Sequence, residues 1–212
     1  MEGDGASRGV LGRNQGHPLT RSGLPSKLAV DANFLVALVD PDLNPDDRAR
    51  IDYLLARVDK AKSQIVIPMP ALAEFLVGAD QAGIELMNKL ERKAFIDLAP
   101  FDRAAAFECA QLDRAAIGGG ALAAKKGKDN GSGKKDGVEA QWQKIKIDRQ
   151  IVAIAKARGA LLIVSRDDGV RSNALRVGIQ ALTVQELELP ESAKQGKLEL
   201  VVPQRSVRTP KT

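Results

Sequence analysis

At 212 residues, 44% hydrophobic and 28% charged, the chain can bury the core of one globular domain and does not require two. No apolar run approaches the ~20 residues of a membrane span and the N-terminus lacks the apolar block of a signal peptide, so a soluble, cytoplasmic protein without membrane contact is expected. A single cysteine excludes an internal disulfide or a multi-cysteine zinc site, and a formal charge of +5 leans toward a polyanionic partner such as RNA or DNA.

Residues 1–27 are rich in Gly, Ser, Arg and Pro without apolar periodicity, which predicts a flexible arm. The only histidine, His17, lies in that arm, so neither a Ser/His/Asp triad nor a histidine acid/base pair can be assembled. From Leu28 onward the predicted domain, residues 28–190, alternates apolar runs with helical patterns. LAV (28–30) is a strand, and Asn44-Pro45 opens a helix with Ile51, Leu54, Leu55 and Val58 along one stripe. IVIP (65–68) is the next strand. Pro70 then opens a helix carrying Leu72, Phe75 and Leu76, and a further helical pattern runs through Ile84, Met87 and Leu90 to a short strand at 94–98. Asp102 caps a helix reaching about residue 116, with Cys109 on an apolar face beside Ala106, Phe107 and Ala110. Asp148 is expected to start a helix with Ile151, Val152, Ile154 and Ala155 inward and Gly159 as its stop. LLIVS (161–165) is a buried strand, and QALTV (180–184) is the last, after a short helix. This alternation predicts an α/β fold, a mostly parallel central sheet with helices on both faces.

Two segments stand outside that rhythm. At about 118–141, Lys125, Lys126, Lys128, Lys134 and Lys135 stand among glycines, which reads either as a mobile solvated insert or as a sequence-independent grip on nucleic-acid phosphates. The C-terminal tail, 191–212, ends in PQRSVRTPKT, with three basic residues and no acid.

Open parallel sheets bind ligands outside the carboxyl ends of their strands. Asp31 directly follows strand LAV and Asp167 follows LLIVS by two residues, so they should meet at one edge. Asp148 is expected at a helix start, where the macrodipole favours an anion, and Glu74 lies on the helix after IVIP, between Leu72 and Phe75. Each taken singly has a structural reading as cap, turn or surface residue. Together, four carboxylates repel unless a cation neutralises them, and an all-oxygen donor set suits Mg²⁺ or Mn²⁺ and phosphodiester hydrolysis.

VDANFLVAL, PALAEFLVG, Asp148 and IVSRDDG, taken in order, resemble the PIN-domain nucleases and most closely the VapC-type toxins of toxin–antitoxin pairs, over about residues 27–190. The resemblance implies a metal-dependent endoribonuclease acting as the toxin of a type II pair, with a small antitoxin and a homodimer. It matches the four acids to Asp31, Glu74, Asp148 and Asp167, as metal ligands (Asp31, Asp148 and Asp167) or as partners of water at the metal. Asn33 and Ser165 match supporting polar positions, with Asp168 a neighbour. Asp113, on a helix before the insert, rivals Asp148 for the third place, and the insert itself departs from the family's shorter connection. Arg149, Arg166 and Arg171 read either as contacts to RNA phosphates or as surface charges and salt-bridge partners. Trp142, at the end of the insert, is expected to pack on the sheet edge. Two other readings stay open. A haloacid-dehalogenase-like phosphatase needs a second aspartate two residues after the first, where Asn33 stands; a PIN-like module could bind RNA or protein without cleaving.

Overall fold

The computed structural model describes residues 23–116 and 135–195, apart from the side chains at 116, 135–142 and 195. Strands β1 (Lys27–Val30), β2 (Gln64–Pro68), β3 (Ile96–Ala99), β4 (Leu162–Val164) and β5 (Gln180–Leu182) form one sheet in the order β3-β2-β1-β4-β5. Every neighbouring pair is parallel, as the alternation of strands and helices predicted. The helices are α1 (Ala32–Val39), α2 (Pro45–Ala61), α3 (Met69–Gly78), α4 (Gln81–Glu91), α5 (Arg103–Ala116), α6 (Lys135–Ala157), α7 (Asp168–Arg176) and the short α8 (Glu191–Gln195). No helix among the described residues is long and apolar enough to cross a membrane.

Successive strand side chains point to opposite faces, and both faces are covered, which is why the strands read as continuous apolar runs. Leu28, Val30, Ile65, Ile67, Leu162 and Val164 pack with Phe34 and Leu35 of α1 and with Ile51, Leu54 and Val58 of α2. Ala29, Val66 and Ile163 face the other way, toward α5, α6 and α7. That second face is lined with alanines (Ala71, Ala99, Ala105, Ala153, Ala155, Ala174), small enough to let α6 lie close to the sheet. Five consecutive residues of α6, Ile151 to Ala155, are buried. A helix apolar all round is enclosed on every side; burying each such Ile or Val contributes about 1.5–3 kcal/mol. The helix is thereby pinned, together with any polar residue one turn upstream.

Several expectations are corrected. The helix bearing Asp148 does not begin there: α6 starts at Lys135, so part of the expected insert is helical and Asp148 lies well inside the helix. Glu139, Ala140, Gln141 and Lys144 are good helix formers, which extends the helix upstream of Asp148 despite Gly137. Helix α1, absent from the sequence reading, follows β1 with only Asp31 between. On α5 the buried positions are Ala105 and Leu112, with Cys109 partly buried between them at helical spacing, while Phe107 faces solvent. Leu76 and Ile84 are likewise exposed rather than in the core stripe. Residues 1–22, 117–134 and 196–212, which include most of the predicted arm, insert and tail, lie outside the described residues, as does the side chain of Trp142.

Candidate functional site

The chain leaves β1 for β2 on one side and reaches β4 on the other, so the order of strands reverses between β1 and β4. A crevice opens at such a point, at the carboxyl ends of the strands. Two of the four predicted acids stand there, and each caps the helix that follows its strand. Asp31 is the N-cap of α1, its Oδ1 accepting from the Phe34 amide at 3.1 Å. Asp167 is the N-cap of α7, its Oδ1 accepting from the amides of Gly169 at 2.7 Å and Val170 at 3.2 Å. A side-chain oxygen at this position satisfies helix amides that have no intrahelical partner. One carboxylate oxygen of each acid is committed to a cap.

The second oxygens are engaged from other parts of the chain. Asp31 Oδ2 accepts from the Ser165 hydroxyl and from Asn33 Nδ2 at 3.3 Å, while Ser165 Oγ in turn accepts from the Asp167 amide at 3.0 Å. Ser165 and Asn33 therefore orient Asp31, which is only 2% exposed. In that role Asn33 cannot act as the second acid a haloacid-dehalogenase-like phosphatase needs. Asp148 is 7% exposed and reaches the same place from α6; a methyl at Gly169 would lie 2.2 Å from its Oδ2 and 3.0 Å from Asp167 Oδ1. Glu74 lies on the exposed side of α3, within reach of the charges of Asp148, Asp31 and Asp167.

The electrostatics link all four. Burial pushes the Asp31 carboxyl up against the hydrogen bonds from Ser165, Phe34 and Asn33, and the Asp167 charge adds to the rise. Asp148 is raised by burial first and then by Asp167, with Asp31 contributing. Glu74 is raised by desolvation of its head group and then by Asp148, Asp31 and Asp167. Asp167 behaves oppositely: burial pushes it up, but its hydrogen bond from Lys144 and those from the Val170 and Gly169 amides hold the carboxyl below its ordinary range. Carboxylates raised by one another share an excess of negative charge.

A stability profile follows from these directions. Asp31, Glu74 and Asp148, raised in the folded state, contribute stability that is fully present below the unfolded carboxylate range and lost as pH rises through their folded values. Asp167, lowered, contributes stability above that range and loses it on strong acidification. Thermal unfolding of the protein in EDTA should give a Tm that rises as the pH falls from neutrality toward the ordinary carboxylate range; a steady fall over that approach would contradict the assignment.

The remaining predicted residues fall apart from this cluster in informative ways. Asp113, the rival third acid, is held by Arg149 Nη1 at 2.5 Å, which engages both of them. Asp168 points outward, its side chain 87% exposed and paired with Arg171 at 2.6 Å. Arg166 is exposed and lines a small cleft with Asn33, Phe34 and Ser165. Lys125, Lys126, Lys128 and Lys134 lie outside the described residues, as does the Lys135 side chain. Lys144 was missed. Its ammonium hydrogen-bonds Asp167, and its charge acts on Asp148 and Glu74. The signal was present as a lysine four residues before Asp148, but it becomes visible only when the helix is extended upstream.

No protein-family model matches the chain, and no curated protein matches it. Among solved structures it is similar to VapBC2 from Rickettsia felis, crystallised bound to a DNA fragment from their promoter. The match has 16% identity over 74% of this chain and 98% of that one, with a TM-score of 0.45. DNA-bound VapBC from Salmonella typhimurium is similar at 17% identity over 74% and 98%, with a TM-score of 0.41. What the site can do follows from its own side chains.

Proposed function

We propose that the chain is a metal-dependent endoribonuclease that hydrolyses RNA phosphodiester bonds at the β1/β4 edge. Mg²⁺ or Mn²⁺ is its cofactor. The observation that carries this reading is that Asp31 and Asp167 are joined through Ser165 and Asp167 stands across Gly169 from Asp148, with Glu74 near enough for their charges to raise its carboxyl. The donor set is all oxygen, as hard divalent cations require. Asp31, Asp148 and Asp167 would hold the ion, which supplies Lewis acidity toward an attacking water and a phosphodiester oxygen.

The chain's own groups do the rest. Ser165 and Asn33 fix Oδ2 of Asp31, so the acid would not have to reorient at the moment of reaction. Glu74, open to solvent and within reach of the cluster's charge, would take the proton of the attacking water, a role its raised carboxyl supports. Arg166 is the exposed guanidinium nearest these groups in sequence and offers bidentate donors to a flanking phosphate.

The same proposal extends to partners. By the resemblance of its acids in order and spacing, the chain acts as the toxin of a type II pair, restrained by a small antitoxin, and works as a homodimer in the cytoplasm. Exposed Leu76, Val77 and Ile84 on α3 and α4 support a self-association surface there. The test is cleavage of structured RNAs by the purified, antitoxin-free chain. Activity should need Mg²⁺ or Mn²⁺ and stop with EDTA; cleavage that survives chelation sinks the metal reading.

A further inference from the structure

Among the described residues, no three acids, histidines or cysteines stand grouped as a ready cage for an ion. The cation placed at Asp167 belongs to the chain itself. Lys144 lies on α6 one helical turn before Asp148, and residues four apart share a helix face. Its ammonium donates to Asp167 Oδ2, the oxygen that the α7 amides leave free, and it is attracted by Asp148 and Glu74 as well. Three of the four acids thus act on one lysine.

We propose that Lys144 is a built-in counter-cation of the carboxylate cluster. It pairs with Asp167 when no divalent ion is bound and gives way when one binds, so that it raises the ion concentration needed to load the site. The proposal rests on the metal reading above and adds to it a residue that sets the threshold. Several features fit the role. The Lys144 side chain is 58% exposed and sits on four rotatable carbons, so it can leave toward solvent without disturbing the core, while Asp167 is held in place by its cap. A fixed arginine with a buried fork would hold the acids permanently; a lysine with a solvated stem need not.

An ordinary exposed ion pair would do much less, since such pairs contribute little and their loss leaves neighbours unaffected. The difference is measurable without any RNA. The full-length protein, stripped with EDTA, is titrated with MnCl₂ by calorimetry and followed by thermal unfolding with and without Mn²⁺. Lys144→Gln is set beside Lys146→Gln, which removes the same charge from an exposed position two residues along the helix, on another face.

Removing a unit charge a few ångströms from a divalent ion in a partly solvated site should tighten Mn²⁺ binding about tenfold, or about 1.4 kcal/mol. By linkage, the rise in Tm at a given Mn²⁺ concentration should be larger for Lys144→Gln than for wild type, starting from a lower metal-free Tm. Lys146→Gln should shift the Kd by less than about twofold, as expected of a screened surface charge. If the two variants tighten binding equally, or Lys144→Gln leaves it unchanged or weaker, the counter-cation role is overturned while the metal reading stands. If wild type and both variants show no Mn²⁺ binding, the metal reading itself falls and the role of Lys144 falls with it.

Discussion

Replacing Asp31 with asparagine is expected to reduce RNA cleavage about 10³-fold, a loss of about 4 kcal/mol of transition-state stabilisation, while making the metal-free protein more stable. The two effects have one cause. Asp31 is almost wholly buried, and burial together with the Asp167 charge raises its carboxyl, so the ionised form is held against its preference. Asparagine has nearly the same shape. Its oxygen can still accept from the Phe34 amide and cap α1, and the uncharged amide is cheaper to bury. What it cannot do is ligate a hard cation as an anion or, with an amide NH₂ where Oδ2 stood, accept from Ser165 and Asn33, so the Ser165 hydroxyl and the Asn33 amide must turn to accept from it instead. The gain in Tm over wild type, measured in EDTA, should be largest at neutral pH. It should shrink on acidification toward the ordinary carboxylate range, where wild-type Asp31 is itself protonated. A variant that loses activity and also loses Tm at neutral pH would mark Asp31 as a structural cap whose charge the fold needs. A variant that keeps cleavage would remove Asp31 from the site.

That an acid stands at the end of a buried strand was legible in the sequence, and so was its place at the carboxyl edge of the sheet. Apolar runs bounded by Gly, Pro or Asn mark the strands, and the rule that parallel sheets bind at their carboxyl edges puts Asp31 and Asp167 at one edge from the sequence alone. The nature of their local anchorage was not legible. LAVDANFLVALV is nearly all apolar, and within so short a run a strand and a helix cannot be separated by periodicity, so α1 and the capping role of Asp31 stayed hidden. Asp167 was closer to view, since RDDG already suggested a turn into a helix.

Asp148 is the more instructive case, because it comes beside Asp167 by a route other than the one its sequence context suggests. A helix N-terminus was expected to favour its charge, yet it lies in the interior of α6, and what governs it is burial beside Asp167. The lysine and glycine content of the segment before it masked the true helix start. With that start went Lys144, whose relation to Asp148 exists only once both are on one helix face. The Arg149–Asp113 pair was out of reach for a different reason. It joins residues 36 apart in the chain, and no local pattern announces a tertiary ion pair.

Gly169→Ala should cost about 100-fold in cleavage without unfolding the protein. Gly169 is in the first turn of α7, where its amide donates to Asp167, the N-cap. Alanine is the better helix former, so the backbone has no objection to it. The objection is spatial: the new methyl would fall 2.2 Å from Asp148 Oδ2 and 3.0 Å from Asp167 Oδ1, and the nearer contact must open by about an ångström to reach an ordinary separation. Asp148 has only two side-chain torsions, and its backbone is fixed by the buried stretch Ile151–Ala155, so the displacement falls on the carboxylate. A misplacement of about 1 Å at a reacting centre is worth about 10²-fold. Far-ultraviolet circular dichroism and Tm should stay near wild type while Mn²⁺ affinity and cleavage fall together. If Gly169→Ala cleaves RNA normally, the gap between Asp148 and Asp167 is not where the chemistry happens. The site would then have to be rebuilt around Asp31 and Glu74 alone.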